Sequence, residues 1–145
     1  MRKIAAAAAG AALLFSAGAA APAVAAPGGT PVHIVAHTSL ESPAADFESS
    51  LVGCESGTVV NGDNAQAHFT PWGGAFIGDK EFTCESGLSG FTLHLKARFG
   101  GGGSTGSWTA VGGWGELDGL KGSGSLVGIP VSDVAIDDVF TGSVR

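Results

Sequence analysis

Residues 106–128 read GSWTAVGGWGELDGLKGSGSLVG. Two apolar runs, at 108–111 and 126–127, flank a segment carrying Gly112, Gly113, Gly115, Gly119, Gly122 and Gly124. Glycine tolerates the backbone angles and close approaches of a sharp turn, so the stretch predicts two neighbouring strands joined at the closing corner of a sheet, with one helical turn at 116–120.

The flanks extend that reading. In residues 91–99, FTLHLKARF, one face carries Phe91, Leu93, Leu95, Ala97 and Phe99, and the other carries Thr92, His94, Lys96 and Arg98. This period of two marks a strand with one buried and one wet face. Residues 31–38 alternate in the same way, with Val32, Ile34 and Ala36 opposite His33, Val35 and His37. Further strands are expected at 51–60, 65–70, 75–84, 106–111, 123–131 and 134–144. Asn61-Gly62-Asp63-Asn64 is a turn signal that predicts a hairpin between 51–60 and 65–70. Residues 71–74 break the chain, 100–104 form a flexible link, and 39–50 read as a loop with one helical turn after Pro43. Seven or eight short strands and no long amphipathic helix indicate an all-β antiparallel fold. The expectation is an eight-stranded closed barrel, with a β-sandwich as the alternative. Closure is preferred because it removes both sheet edges, which this chain protects little with Lys or Pro.

The first residues set the expected compartment. Arg2 and Lys3 precede an uncharged Ala- and Leu-rich run at 4–20, and Ala23-Val24-Ala25 supplies the small residues of a cleavage site. Residues 1–25 therefore read as a secretory signal peptide, 26–30 as a flexible leader and 31–145 as a single β domain, secreted and without a transmembrane segment after cleavage. Cleavage removes two of the seven basic residues and none of the thirteen acidic ones, which moves the formal charge from −6 to −8. That balance argues against nucleic acid and anionic membranes, whose phosphates need clustered Lys and Arg. Cys54 and Cys84 each open the tetrapeptide CESG. Two cysteines in an exported chain predict a disulfide, and closing a loop of that length stabilises the fold by roughly 3–4 kcal/mol. A redox or metal pair would need a CxxC spacing, which is absent.

Chemical motifs are sparse. Residues 102–106 match G-x-S-x-G formally, but they lie between strands rather than at a strand-to-helix elbow. Gly122-Ser123-Gly124 lacks the parallel strand and helix of a dinucleotide site. His33 and His37 share a strand face about 13 Å apart, too far for one ion, and His68 and His94 meet only if the fold brings them together. Asp133, Asp137 and Asp138, with Glu116 and Asp118, are the densest acids and a candidate weak Ca²⁺ site, although without EF-hand spacing. No cofactor or metal is assigned. A carboxylate inside an apolar barrel gains a raised pKa and can do acid–base work, with Glu81, Asp137 and Asp138 as the candidates. Trp108 sits mid-strand as a core residue, whereas Trp72 and Trp114 stand in Gly-rich breaks, where an exposed ring suits an apolar ligand.

The 106–128 stretch, the preceding FIGDKEFTCESGLSGFTLHLKARF and the closing IDDVFTGSV resemble small secreted bacterial proteins of the allene oxide cyclase and dirigent barrel superfamily. Leu117 stands where that group's signature has an aromatic. The resemblance implies a calycin-like eight-stranded barrel with an apolar interior, often a homo-oligomer in plant relatives, and carries no activity residue by residue. The expected function is non-catalytic binding of a small apolar ligand or a protein partner. The alternatives are an isomerase or cyclase that uses the interior as a shaped chamber, and a structural envelope protein.

Overall fold

Alternation of apolar and polar residues produces nine strands in the computed structural model, which describes residues 28–145. They are β1 (Thr30–Ser39), β2 (Ala44–Ser49), β3 (Ser56–Asn61), β4 (Gln66–Thr70), β5 (Gly73–Cys84), β6 (Gly90–Gly100), β7 (Gly103–Trp114), β8 (Gly122–Ser132) and β9 (Ala135–Val144). The signal segment expected at 1–25 lies outside the described residues. Thr30, assigned above to the leader, pairs with Val144 at the start of β1.

Every pairing is antiparallel. The order β3-β2-β1-β9-β8-β7-β6-β5 closes on itself where β3 pairs with β5, giving an eight-stranded barrel with β4 outside it. The closure runs over Gly57↔Cys84 to Asn61↔Lys80. Farther along the same edge of β5, β4 pairs from Gln66↔Ile77 to Thr70↔Gly73.

Three expectations are corrected. The 39–50 loop contains β2, which pairs Ile34–Ala36 of β1 with Phe47–Ser49. Phe47 is 1% exposed, so the inward alternation of Ala45, Phe47 and Ser49 won over the turn signal of Pro43. Residues 61–64 do not make a β3–β4 hairpin: both strands lie along β5, and the NGDN segment bulges between them. The Gly62 amide donates to the Asp79 carbonyl and the Asp79 amide to Asn64 Oδ1, so β5 keeps its partners across the bulge. The 100–104 link is a tight turn in which Gly100 pairs with Gly103, and β7 starts there. The 106–128 corner is otherwise as read, with a short 3₁₀ turn at Gly115–Leu117.

The inward faces fill the lumen in layers. At the end where β5, β7 and β9 finish, Val32, Leu51, Cys54, Cys84, Trp108 and Val144 are buried, and the Cys54–Cys84 disulfide, Cα atoms 5.0 Å apart, ties the β2–β3 loop to the end of β5. Above them lies an aromatic layer. Phe82 stacks on Phe91 with ring centroids 4.7 Å apart, and both meet Phe47 edge-on; Phe140 meets Phe82 edge-on at 5.8 Å. An eight-stranded barrel is just wide enough for side chains to fill it or for one small ligand to enter. Here the chain does the first at one end and the second at the other.

Candidate functional site: the open end of the barrel

The inward positions of β5 are Phe76, Gly78, Lys80, Phe82 and Cys84, and those of β9 are Ile136, Asp138, Phe140 and Gly142. Two residues before Phe82 and Phe140, each strand therefore carries an inward charge. In the closed strand order β5 and β9 are diametrically opposite, four strands apart either way round. Lys80 and Asp138 thus reach across the lumen, where Lys80 Nζ lies 3.6 Å from Asp138 Oδ2. Their side chains are 8% and 11% exposed. The Thr38 hydroxyl of β1 donates to Asp138 Oδ2 at 3.0 Å. The Lys80 ammonium also sits 5.8 Å from the centroid of the Phe76 ring.

This bridge floors a cavity of about 390 Å³ that opens at the mouth of the barrel. Its walls are mainly apolar: Phe76, Leu95, Ala97, Phe99, Leu126, Pro130 and Ile136, with Ser104 and Thr38 adding hydroxyls near the floor. The volume falls in the lower part of the range of small-molecule sites, about 300–1,000 Å³, which are concave, apolar and supplied with a few convergent polar groups. Around the opening, Leu40, Phe69, Trp72, Val131 and Val134 are exposed. The β4–β5 hairpin carries two of them beyond the barrel, with Phe69 tilted against Phe99 at 5.3 Å and Trp72 at its tip.

Burial dominates the ionisation of both floor residues. It lowers the Lys80 pKa from 10.5, and the charge of Asp138 offsets part of that. Burial raises Asp138 from 3.8, against the opposing influence of Lys80 and the Thr38 hydroxyl. Both groups are thereby pushed towards their neutral forms. A carboxyl with a raised folded pKa contributes stability that is complete below its unfolded value and is lost as pH rises through the folded one. An ammonium with a lowered folded pKa behaves in the mirror sense: its contribution is complete above 10.5 and is lost as pH falls through the folded value. The unfolding free energy of the protein should accordingly decline as pH rises from 3.8 through the raised pKa of Asp138, and Asp138→Asn should flatten that limb. Urea titrations across this window check the point, and an unchanged slope in the variant counts against it.

The residues singled out from sequence fall in different places. Of the three acid–base candidates, only Asp138 faces the lumen. Glu81 is exposed on the outer face, and Asp137 points outward to accept a 2.8 Å hydrogen bond from His37 Nδ1. Trp72 is 92% exposed at the mouth, while Trp114 is at the opposite end with its ring over Gly90, so the two do not share a site. Trp108 is 1% exposed, a core residue as read. The acidic cluster disperses: Asp133 is at the mouth, Asp137 outside, Asp138 inside, and Glu116 and Asp118 at the closed end. Among the described residues no three His, Cys, Asp or Glu side chains are grouped to hold a metal ion. His33 and His68 are exposed, and His94 pairs with Asp79 across β5 and β6 at 2.6 Å. Ser104 of the formal G-x-S-x-G lines the cavity from the start of β7, between strands. Lys80 and Thr38 were missed, and the parity of AFIGDKEFTC was the signal available: Lys80 shares a face with Phe76, Phe82 and Cys84.

No family model, curated protein or solved structure matches the chain. No helix among the described residues is long and apolar enough to cross a membrane.

Proposed function

We propose that the protein is an exported, non-catalytic barrel that binds one small, mainly apolar molecule with a neutral hydrogen-bonding head. The observation that carries this reading is the apolar cavity of about 390 Å³ ending on the Lys80–Asp138 bridge. The walls take the apolar body by removing its surface from water, worth about 25 cal/mol per Å². The floor sets the head group. A carboxylate would compete with Asp138 for a single ammonium and leave two anions in one apolar site, whereas a hydroxyl or carbonyl fits between donor and acceptor without adding charge. Export rests on the expected signal segment. Kinship with the allene oxide cyclase and dirigent barrels belongs to the same proposal, supported by the resemblance of residues 106–128 and the closed eight-stranded architecture.

Titration with a neutral naphthylamine dye tests the reading. Fluorescence should rise and saturate at one dye per chain in the micromolar range. Ala97→Trp, which puts an indole into the cavity from its wall, should weaken binding by about tenfold or more, equivalent to about 1.4 kcal/mol. Equal binding by a folded Ala97→Trp protein would place the dye elsewhere, and absent binding by the unaltered protein would turn the reading towards a protein partner.

One observation favours a second reading, an isomerase or cyclase. Asp138 is a carboxyl with a raised pKa inside a mainly apolar chamber, as acid–base chemistry there requires. Asp138→Asn should then abolish turnover of a found substrate while leaving dye binding within about threefold, or under 0.7 kcal/mol.

A further inference from the structure

We propose that Lys80 captures the carbonyl group of an apolar aldehyde or ketone as a reversible imine at the floor of the barrel, with Asp138 as the proton carrier. The inference rests on the lumen being a ligand chamber and names the class of head group that the chamber would hold.

Three observations converge on it. Lys80 is the amine at the blind end of an apolar cavity, so a ligand that enters tail-outward presents its head to Nζ. Its partner is a carboxyl group across the lumen, 3.6 Å away, a charge-pair separation longer than a charge-assisted hydrogen bond of about 2.7–2.9 Å. The Thr38 hydroxyl holds that carboxyl in place by donating to Oδ2 at 3.0 Å. Moving one proton from Nζ to the carboxyl converts ammonium and carboxylate into amine and acid with no change in net charge. Burial favours that neutral form, because it penalises both ions. A desolvated lysine of this kind is how amines are made nucleophilic towards carbonyls.

The step balances without any added reagent. The Nζ lone pair attacks the carbonyl carbon, the C–N bond forms as the C=O π pair moves onto oxygen, and Asp138 relays one Nζ proton to that oxygen to give a carbinolamine. The Asp138 carboxyl gives its proton to the carbinolamine hydroxyl, the C–O bond breaks and water leaves through the mouth. The nitrogen then loses its remaining proton to Asp138, leaving a neutral imine and a regenerated acid. Nothing is oxidised or reduced, and water entering by the same mouth reverses the sequence.

Decanal, with sodium cyanoborohydride to reduce any imine to a stable secondary amine, is the probe, and peptide mapping of the unaltered protein is the readout. The expected result is one adduct per chain, on Lys80, formed at least tenfold faster than on the exposed Lys96 and Lys121 and suppressed by excess decanol, which fills the cavity but cannot form an imine. Lys80→Arg, checked for folding by circular dichroism, should lose the adduct. Labelling spread evenly over Lys96, Lys121 and the amino terminus overturns the proposal. So does the absence of a Lys80 adduct when decanal displaces the dye, an outcome that leaves the binding reading standing. Failure of both decanal and decanol to displace the dye, or of the dye to bind, removes the chamber itself and the imine with it.

Discussion

Lys80→Met alone is expected to destabilise the barrel by about 3–5 kcal/mol, and adding Asp138→Leu is expected to recover that loss. Removing the lysine leaves a carboxyl that is 11% exposed, with Thr38 as its hydrogen-bond donor. A lone carboxylate in an apolar lumen is costly, although Asp138 can take up a proton, which keeps the loss near the lower figure. The double variant removes the desolvation penalty of both ions and returns Met and Leu to the face that carries Phe82 and Phe140. Replacing a buried pair by apolar residues of similar size is commonly neutral or stabilising by about 1–4 kcal/mol. The geometry favours that outcome here, because the 3.6 Å separation recovers less attraction than a hydrogen-bonded pair would. Urea unfolding of the unaltered protein, both single variants and the double variant forms a complete cycle. A double variant no more stable than Lys80→Met alone would show that the bridge is there for stability. The expected result would instead mark a pair kept in the lumen against the interest of the fold, which is what a binding or reacting group requires.

The same two residues show how far the sequence could be read. Alternation located β1 and β5–β9 because each buries one face, and the period of two is written in residues such as Phe91, Leu93 and Leu95. It failed at β2, where Pro43, Ala44 and Asp46 carry turn and helix signals and Phe47 alone announces the core. It also failed at residues 61–64. Asn-Gly-Asp-Asn is equally good chemistry for a hairpin and for a bulge, and the choice is made by the amide and carbonyl of Asp79 on a strand that follows in the chain. The lumen was legible in principle: DKEF on β5 and DDVF on β9 both put an ion two residues before a buried Phe on one face. What no pattern along the chain contains is that β5 and β9 stand opposite each other in the closed sheet. That relation depends on the strand count and on the β3–β5 closure, and it alone turns two inward charges into one bridge. The disulfide was easier because two cysteines offer a single pairing.

Trp108→Ala is expected to cost about 3–5 kcal/mol and to loosen the closed end of the barrel without emptying the ligand chamber. The indole is 1% exposed and lies along the inner wall, over Gly124 of β8 and Gly142 of β9. A methyl group placed on either glycine would come within 2.7 Å of the ring, so both positions admit the indole by lacking a side chain. The ring nitrogen donates to the Thr141 carbonyl at 3.2 Å, so one side chain on β7 spans β8 and bonds to β9. Burying a large aromatic removes about 150–250 Å² from water. At about 25 cal/mol per Å² that is roughly 4–6 kcal/mol, an upper figure because a compact unfolded chain already hides part of it. The hydrogen bond adds only about 1 kcal/mol, so packing decides the effect. Trp108→Phe separates the two contributions: it keeps most of the ring, loses the donor and should cost about 1–2 kcal/mol. Urea midpoints measure both variants, and dye titration of the folded fraction measures the chamber. A Trp108→Phe loss as large as that of Trp108→Ala would transfer the weight from the ring to the Thr141 bond. Loss of dye binding in a folded Trp108→Ala protein would show that the aromatic layer of Phe47, Phe82, Phe91 and Phe140 does not isolate the two ends. If binding persists instead, the layer divides one barrel into a stabilising half closed by Trp108 and the disulfide and a working half floored by Lys80 and Asp138.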